Sequence, residues 1–325
     1  MTARFAIPAA CMLTLTAAAA GAPPEAGDRP PPACQMKWPF PKLKNPTIID
    51  LDKTGDRDWW HFEPDQDVVF LGASTPRTLR RLQTEGGRNI VVLGGEYRPQ
   101  GPATGTLYFA GVSGAVHVEG ALIDNADAGE RDGIDIYSAP GRHADLTVQN
   151  TRIVNISGHR MGVHGDMVQT QGDVGRLRFY NVSGTTGYEG LFIPPQHATR
   201  SADLENVNIR YTDGQPVDRY TYQYWFLDSI LEKPFPIALD HVYATERPGQ
   251  AAQEYTVWPK ASLLRIGAVR RGNGISWPHL PYRGSITVGD PPGGDFAPSE
   301  TVGIGYRNAC PDNTPITGPG AVRSE

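Results

Sequence analysis

Apolar and polar residues alternate with period two in short runs, and each run ends on glycine, asparagine or histidine. The runs are I-V-V-L before Gly94, V-H-V-E before Gly120, L-T-V-Q before Asn150, L-R-F-Y before Asn181, A-D-L-E before Asn206 and I-A-L-D before His241. Their closing residues are 26, 30, 31, 25 and 35 positions apart, the signature of a repeat with loop insertions rather than of independent domains. Period two predicts strands with one buried face. A single such strand cannot bury that face, so the repeats must stack. The closing residues are types that tolerate left-handed backbone at a corner. For Asn150, Asn181 and Asn206 a ladder of mutually bonded corner amides is the favoured role.

A second strand follows each corner, near Phe109, Ile136, Val168, Ile193 and Leu227. The predicted fold is all-β, a single-stranded right-handed parallel β-helix with a short N-terminal capping helix. The cap is read from Thr75 followed by Pro76, with Leu79 and Leu82 as its apolar stripe. The expected organisation is a signal peptide over 1–22, an extended arm over 23–60, the β-helix over 61–250, and its C-terminal end with a tail over 251–325. Aligning glycines on the second strands stacks Gly133, Gly165 and Gly190. Asp132, His164 and Glu189, which precede them, then form a column on successive rungs about 4.8 Å apart.

Composition adds a compartment. Arg4 followed by an Ala-rich apolar run to Ala20 reads as a secretory signal, so a secreted or periplasmic protein is expected. No later segment is apolar enough to span a membrane. The formal net charge of -5 carries no basic footprint for nucleic acid. Of three cysteines, Cys11 leaves with the signal, and the remaining pair, Cys34 and Cys310, is expected to form a disulfide between the two ends of the chain. A monomer is expected.

The ladder of Gly and Asn corners, the opening G-R-N-I-V-V-L-G-G-E and the strand H-G-D-M-V-Q resemble the pectate-lyase-like superfamily of secreted β-helix proteins over about Arg88 to Arg247. The resemblance implies a polysaccharide lying along the parallel sheet. The R-x-P-x-x-R stretch of pectate lyases and the paired aspartates of polygalacturonases are missing, so the reaction has to be read from local residues.

Those residues support three readings. For β-elimination of a uronate-containing polymer, the leading one, His164 or Tyr188 serves as base. The uronate is neutralised by Arg160 or by a cation such as Ca²⁺ held by Asp132, Asp166 or Glu189. For hydrolysis, Glu189 and Asp166 serve as a carboxylate pair. The third is a non-catalytic polysaccharide binder. Gln169, Tyr137, His159, Asp132 and Lys233 complete the substrate-binding set; Gln169 and Tyr188 are equally readable as a solvated sheet face, and Lys233 as part of a loop packed onto the coil. Alternation puts Asp166 on the face of Val168, toward the core, unless a bulge at Gly165 turns it out. Tyr220, Tyr222, Tyr224 and Trp225 lie on later rungs and either extend the groove or pack a loop, packing being favoured for Trp225.

Overall fold

The computed structural model describes residues 35–101, 103–194, 199–212, 221–227, 233–306 and 310. Successive strands alternate between two long parallel sheets. One contains Thr47–Asp50, Asp67–Leu71, Asn89–Leu93, Ala115–Glu119, Asp145–Ile156, Arg176–Thr186, Ser201–Tyr211 and Ile237–Ala244. The other contains Trp59–Phe62, Leu82–Gly86, Gly105–Val112, Asp132–Ser138, Val168–Gln171, Leu191–Phe192, Tyr224–Trp225 and Val257–Trp258. Each repeat supplies one strand to each sheet, so every inner side chain meets its counterparts one rung above and below. The first sheet finishes in an antiparallel hairpin of Val269–Arg271 and Gly274–Ser276.

The six closing residues occupy the corners. Leu93, Glu119, Gln149, Tyr180, Glu205 and Asp240 are paired in register, and the residue after each has positive φ, between 49° and 69°. In that region asparagine is among the least strained residues with a side chain. The stacked amides bond as the repeat predicts: Asn181 donates to Asn150 at 2.9 Å and Asn206 to Asn181 at 3.1 Å. Between the sheets, Val118, Val148, Phe179 and Leu204 face Leu107, Ile134, Val168 and Leu191 in one buried core.

Part of the outer face of the first sheet is covered by segments from near the chain's two ends. Residues 35–44 lie across it as a strap. Gln149 accepts from the amides of Lys37 and Trp38, both at 3.3 Å, and donates to the Trp38 carbonyl at 2.7 Å. Phe40 packs 4.6 Å from His117, and Lys37 pairs with Glu205. Beyond the corners, Asp295 clamps the same sheet through Arg152 at 2.6 Å, Asn208 at 2.8 Å and Arg210.

Two expectations are corrected. No helix forms after Pro76. The backbone there pairs laterally, Arg77 N donating to Glu96 O at 2.8 Å and Gln100 N to Leu79 O at 3.0 Å, and Leu82 opens a strand. The buried Arg77 guanidinium holds this segment down by bonding the carbonyls of Leu51, Gly55 and Arg57. The cap and two leucines fit a helical period but are equally met by an edge segment whose polar groups are satisfied by the next coil. The extended arm also ends sooner than residue 60, because Thr47–Asp50 already pairs with Asp67–Leu71.

Candidate functional site

Among the described residues, the outer face of the second sheet presents a long surface to solvent. Alternation puts two rows of side chains on it. The first, in register, is Trp59, Gln83, Tyr108, Asp135, Gln169, Phe192, Trp225 and Trp258. The second is His61, Glu85, Ala110, Tyr137 and Gln171. All are half-buried or exposed except Asp135, which forms the floor between Tyr108 and Gln169 at 1 % exposure. Beside it a cleft of about 510 Å³ is lined by Tyr108, Ala110, Tyr137, Ser138, Pro140 and Asp173, among others.

Behind the rows stands a column of carboxyls. Ile134, Val168 and Leu191 are level, so Asp132, Asp166 and Glu189, each two residues earlier, share a level too. All three are buried, and Asp166 N donates to Asp132 Oδ1 at 2.8 Å. Gly165 makes this packing possible, since a Cβ there would stand 2.0 Å from the Ser157 carbonyl. Both oxygens of Asp166 are buried with no donor, while Glu189 stands within hydrogen-bonding reach, so a proton between the two carboxyls satisfies what nothing else does.

The electrostatics follow from burial. Desolvation, then the charges of Glu189 and Asp132, hold Asp166 well above the usual carboxylate range. Desolvation, then Asp135, does the same to Asp132. Burial lifts Asp135 to about 7 against the opposing pull of Arg81, and its Oδ1 has no hydrogen-bond partner. Arg131 is buried nearby, and burial first, then Arg81 and Arg80, lowers it to about 10. Its guanidinium bonds the carbonyls of Arg80 and Gly101 rather than a carboxylate. Burial thus favours the protonated form of Asp132, Asp166 and Asp135, and of these Asp135 is the carboxyl on the outer row, where a general acid would act.

The anticipated residues separate into groups. Asp132, Asp166 and Glu189 come together as described, but His164 does not join them. Level with Gly133 and Gly190 is Met167, not Gly165, so Asp166 replaces His164 in the column. Alignment by glycine misplaced this rung by two residues, because the local chain spends them on a loop. His159, Arg160 and His164 are exposed on that loop, which is anchored where Val163 N donates to Glu130 Oε2 at 2.9 Å. His164 Nε2 is 3.1 Å from the Arg160 carbonyl, and its ring is 5.7 Å from that of the buried Tyr188. Gln169 and Tyr137 lie in the rows, and Gln169 Oε1 accepts from Gln171 at 2.9 Å. Lys233 is exposed on the lead-in to Ile237–Ala244 of the other sheet. Among the described residues, no group of three His, Cys, Asp or Glu side chains is arranged to hold a metal ion, so a Ca²⁺ site at Asp132, Asp166 and Glu189 gains no support. Cys310 is buried, whereas Cys34 and Tyr220 lie outside the described residues.

Asp135, Phe192 and Trp258 were missed by sequence reasoning. The alternation I-D-I around Asp135 carries the signal, since flanking core isoleucines force the middle side chain outward. No family model, curated protein or solved structure matches the chain. Among the described residues no helix is long and apolar enough to cross a membrane.

Proposed function

We propose that this is a secreted right-handed parallel β-helix enzyme that cleaves a polysaccharide by acid-assisted hydrolysis on the outer face of its second sheet. Strand alternation between two parallel sheets supports the helix, and the strong right-handed preference of parallel crossovers supports its hand. The observation that carries the reaction is Asp135, a carboxyl raised to about 7 on the floor of a solvent-facing row, between a tyrosine and a glutamine suited to sugar hydroxyls. Such a group donates a proton to a leaving oxygen at neutral pH. A second reading, β-elimination from a uronate, is favoured by the His164 ring lying 5.7 Å from Tyr188. Incubating the protein with neutral and acidic polysaccharides, while following reducing ends and unsaturated uronate, separates them. New reducing ends without unsaturated product are expected. Unsaturated product would move the assignment to elimination, and no cleavage of any glycan would overturn both.

Export and a Cys34–Cys310 disulfide belong to the same proposal. Asn150 Nδ2 donates to the Gln35 carbonyl at 3.0 Å and lies 3.3 Å from the Tyr306 hydroxyl, while Cys310 N donates to Tyr306 O at 2.8 Å. One corner asparagine thus gathers the neighbourhoods of both cysteines. Peptide mapping without reductant is expected to find the linked pair, and reduction to lower stability by up to about 4–5 kcal/mol. Two alkylatable thiols in the unreduced protein would rule the bond out.

A further inference from the structure

We infer that Phe192, Trp225 and Trp258 form a stacking platform for uncharged or amino-bearing pyranose rings, so that the polymer bound on this face is not a polyuronate. The inference rests on reading the second sheet's outer face as the substrate groove and names what that groove accepts.

The three aromatics occupy one row on three consecutive rungs, each on a strand whose preceding residue, Leu191, Tyr224 or Val257, fills the core beneath. The core is complete without the outer rings. They remain half-buried, their centroids 5.2 Å apart for Phe192 and Trp225 and 5.9 Å for Trp225 and Trp258. The part of each ring left on the outer face is what an apolar partner can cover. The platform is also held rigid. The Trp225 indole donates to the Leu227 carbonyl at 2.6 Å, and the buried Tyr222 braces it edge-on at 5.1 Å and lies 5.4 Å from Trp258. The rings are inclined to one another, by 64° for Phe192 and Trp225 and 45° for Trp225 and Trp258, so each meets a different sugar of a chain whose residues repeat near the rung spacing of about 4.8 Å, through apolar C–H faces.

Charge selects among such chains. In the two outer rows from Gln83 to Trp258 the carboxyls are Glu85 and Asp135, the second uncharged while it holds its proton, and Asp173 lines the adjoining cleft. Neither of these row segments holds a lysine or arginine. Arg81 lies 5.2 Å over the Tyr108 ring. A polyanion with a carboxylate on every sugar would meet the carboxylates of Glu85 and Asp173 and no lysine or arginine within these row segments, whereas a neutral or cationic glycan meets hydroxyl- and amine-compatible groups.

Affinity electrophoresis of the intact protein in gels containing a soluble β-glucan, partly acetylated chitosan or polygalacturonate tests this. Retardation by the glucan or the chitosan and none by polygalacturonate is expected. Trp225→Ala and Trp258→Ala are each expected to weaken binding about tenfold, or about 1.4 kcal/mol, and Trp225→Phe by less. Thermal midpoints verify folding, and if Trp225→Ala does not fold, the Trp258→Ala comparison decides alone. Undiminished binding by the folded alanine variants, preference for polygalacturonate, or no retardation by any glycan overturns the platform. Trp-dependent binding without cleavage of any glycan would remove the hydrolase and leave the platform standing. Cleavage with unchanged KM in the Trp variants would do the reverse.

Discussion

Asparagine in place of Asp135 is expected to lower kcat on the cleaved polysaccharide by about 10²- to 10⁴-fold, the range for loss of a general acid, with binding retained. Asparagine keeps the size of the side chain and its fit beside Gly105, whose Cβ would stand 3.0 Å from that of Asp135, but offers no proton to the leaving oxygen. The wild-type rate should also fall as pH rises through about 7, where Asp135 gives up its proton. Its elevation comes from burial on the row, so the variant should lose this limb. Kinetic profiles of both proteins decide the point. Unchanged turnover in the variant would remove Asp135 from the mechanism and return attention to Asp166 and Glu189.

Stability is expected to decline as pH climbs from about 4 past 7. A carboxyl whose folded pKa exceeds its unfolded one binds its proton more tightly in the native state, so its contribution is complete below the unfolded value and is lost through the folded one. For Asp135 the gap between 3.8 and about 7 corresponds to on the order of 4 kcal/mol. Asp132 and Asp166 are displaced in the same direction by burial and mutual repulsion and extend the decline. Asp67 and Asp295 work on the opposite side. Arg88 holds the first low and Arg152 the second, each against desolvation, so their contribution is lost as pH falls below the ordinary carboxylate range. A maximum in mildly acidic solution follows. The thermal midpoint is expected to fall by about 10 °C between pH 5 and pH 9, and Asp166→Asn to flatten that slope because the amide has no proton to lose. A midpoint that is level or rises over this interval would contradict the protonated column.

The repeat was legible in the residues because it rests on local rules. Period two marks the strands, and the residues able to take positive φ mark the corners, which is why the positions from Gly94 to His241 were located without coordinates. The Thr75-Pro76 segment misled for the same reason: two leucines and a cap fit a helix locally, and only the buried Arg77 and the backbone partners at Glu96 and Gln100 favour an edge. The candidate site was half legible. Asp132, Asp166 and Glu189 were singled out by residue type, but their grouping depends on register, and an exposed loop of unequal length before Val168 moved His164 out of line by two residues.

Sequence alone determined the alternation, the corners and the stacking of repeats, since each depends on a residue and its near neighbours. The tertiary structure decided which face stays open, because the strap at 35–44 and the clamp at Asp295 arrive from the far ends of the chain. It also decided which carboxyls hold their protons more tightly than a free side chain, because desolvation and repulsion depend on what the next rungs bring within reach.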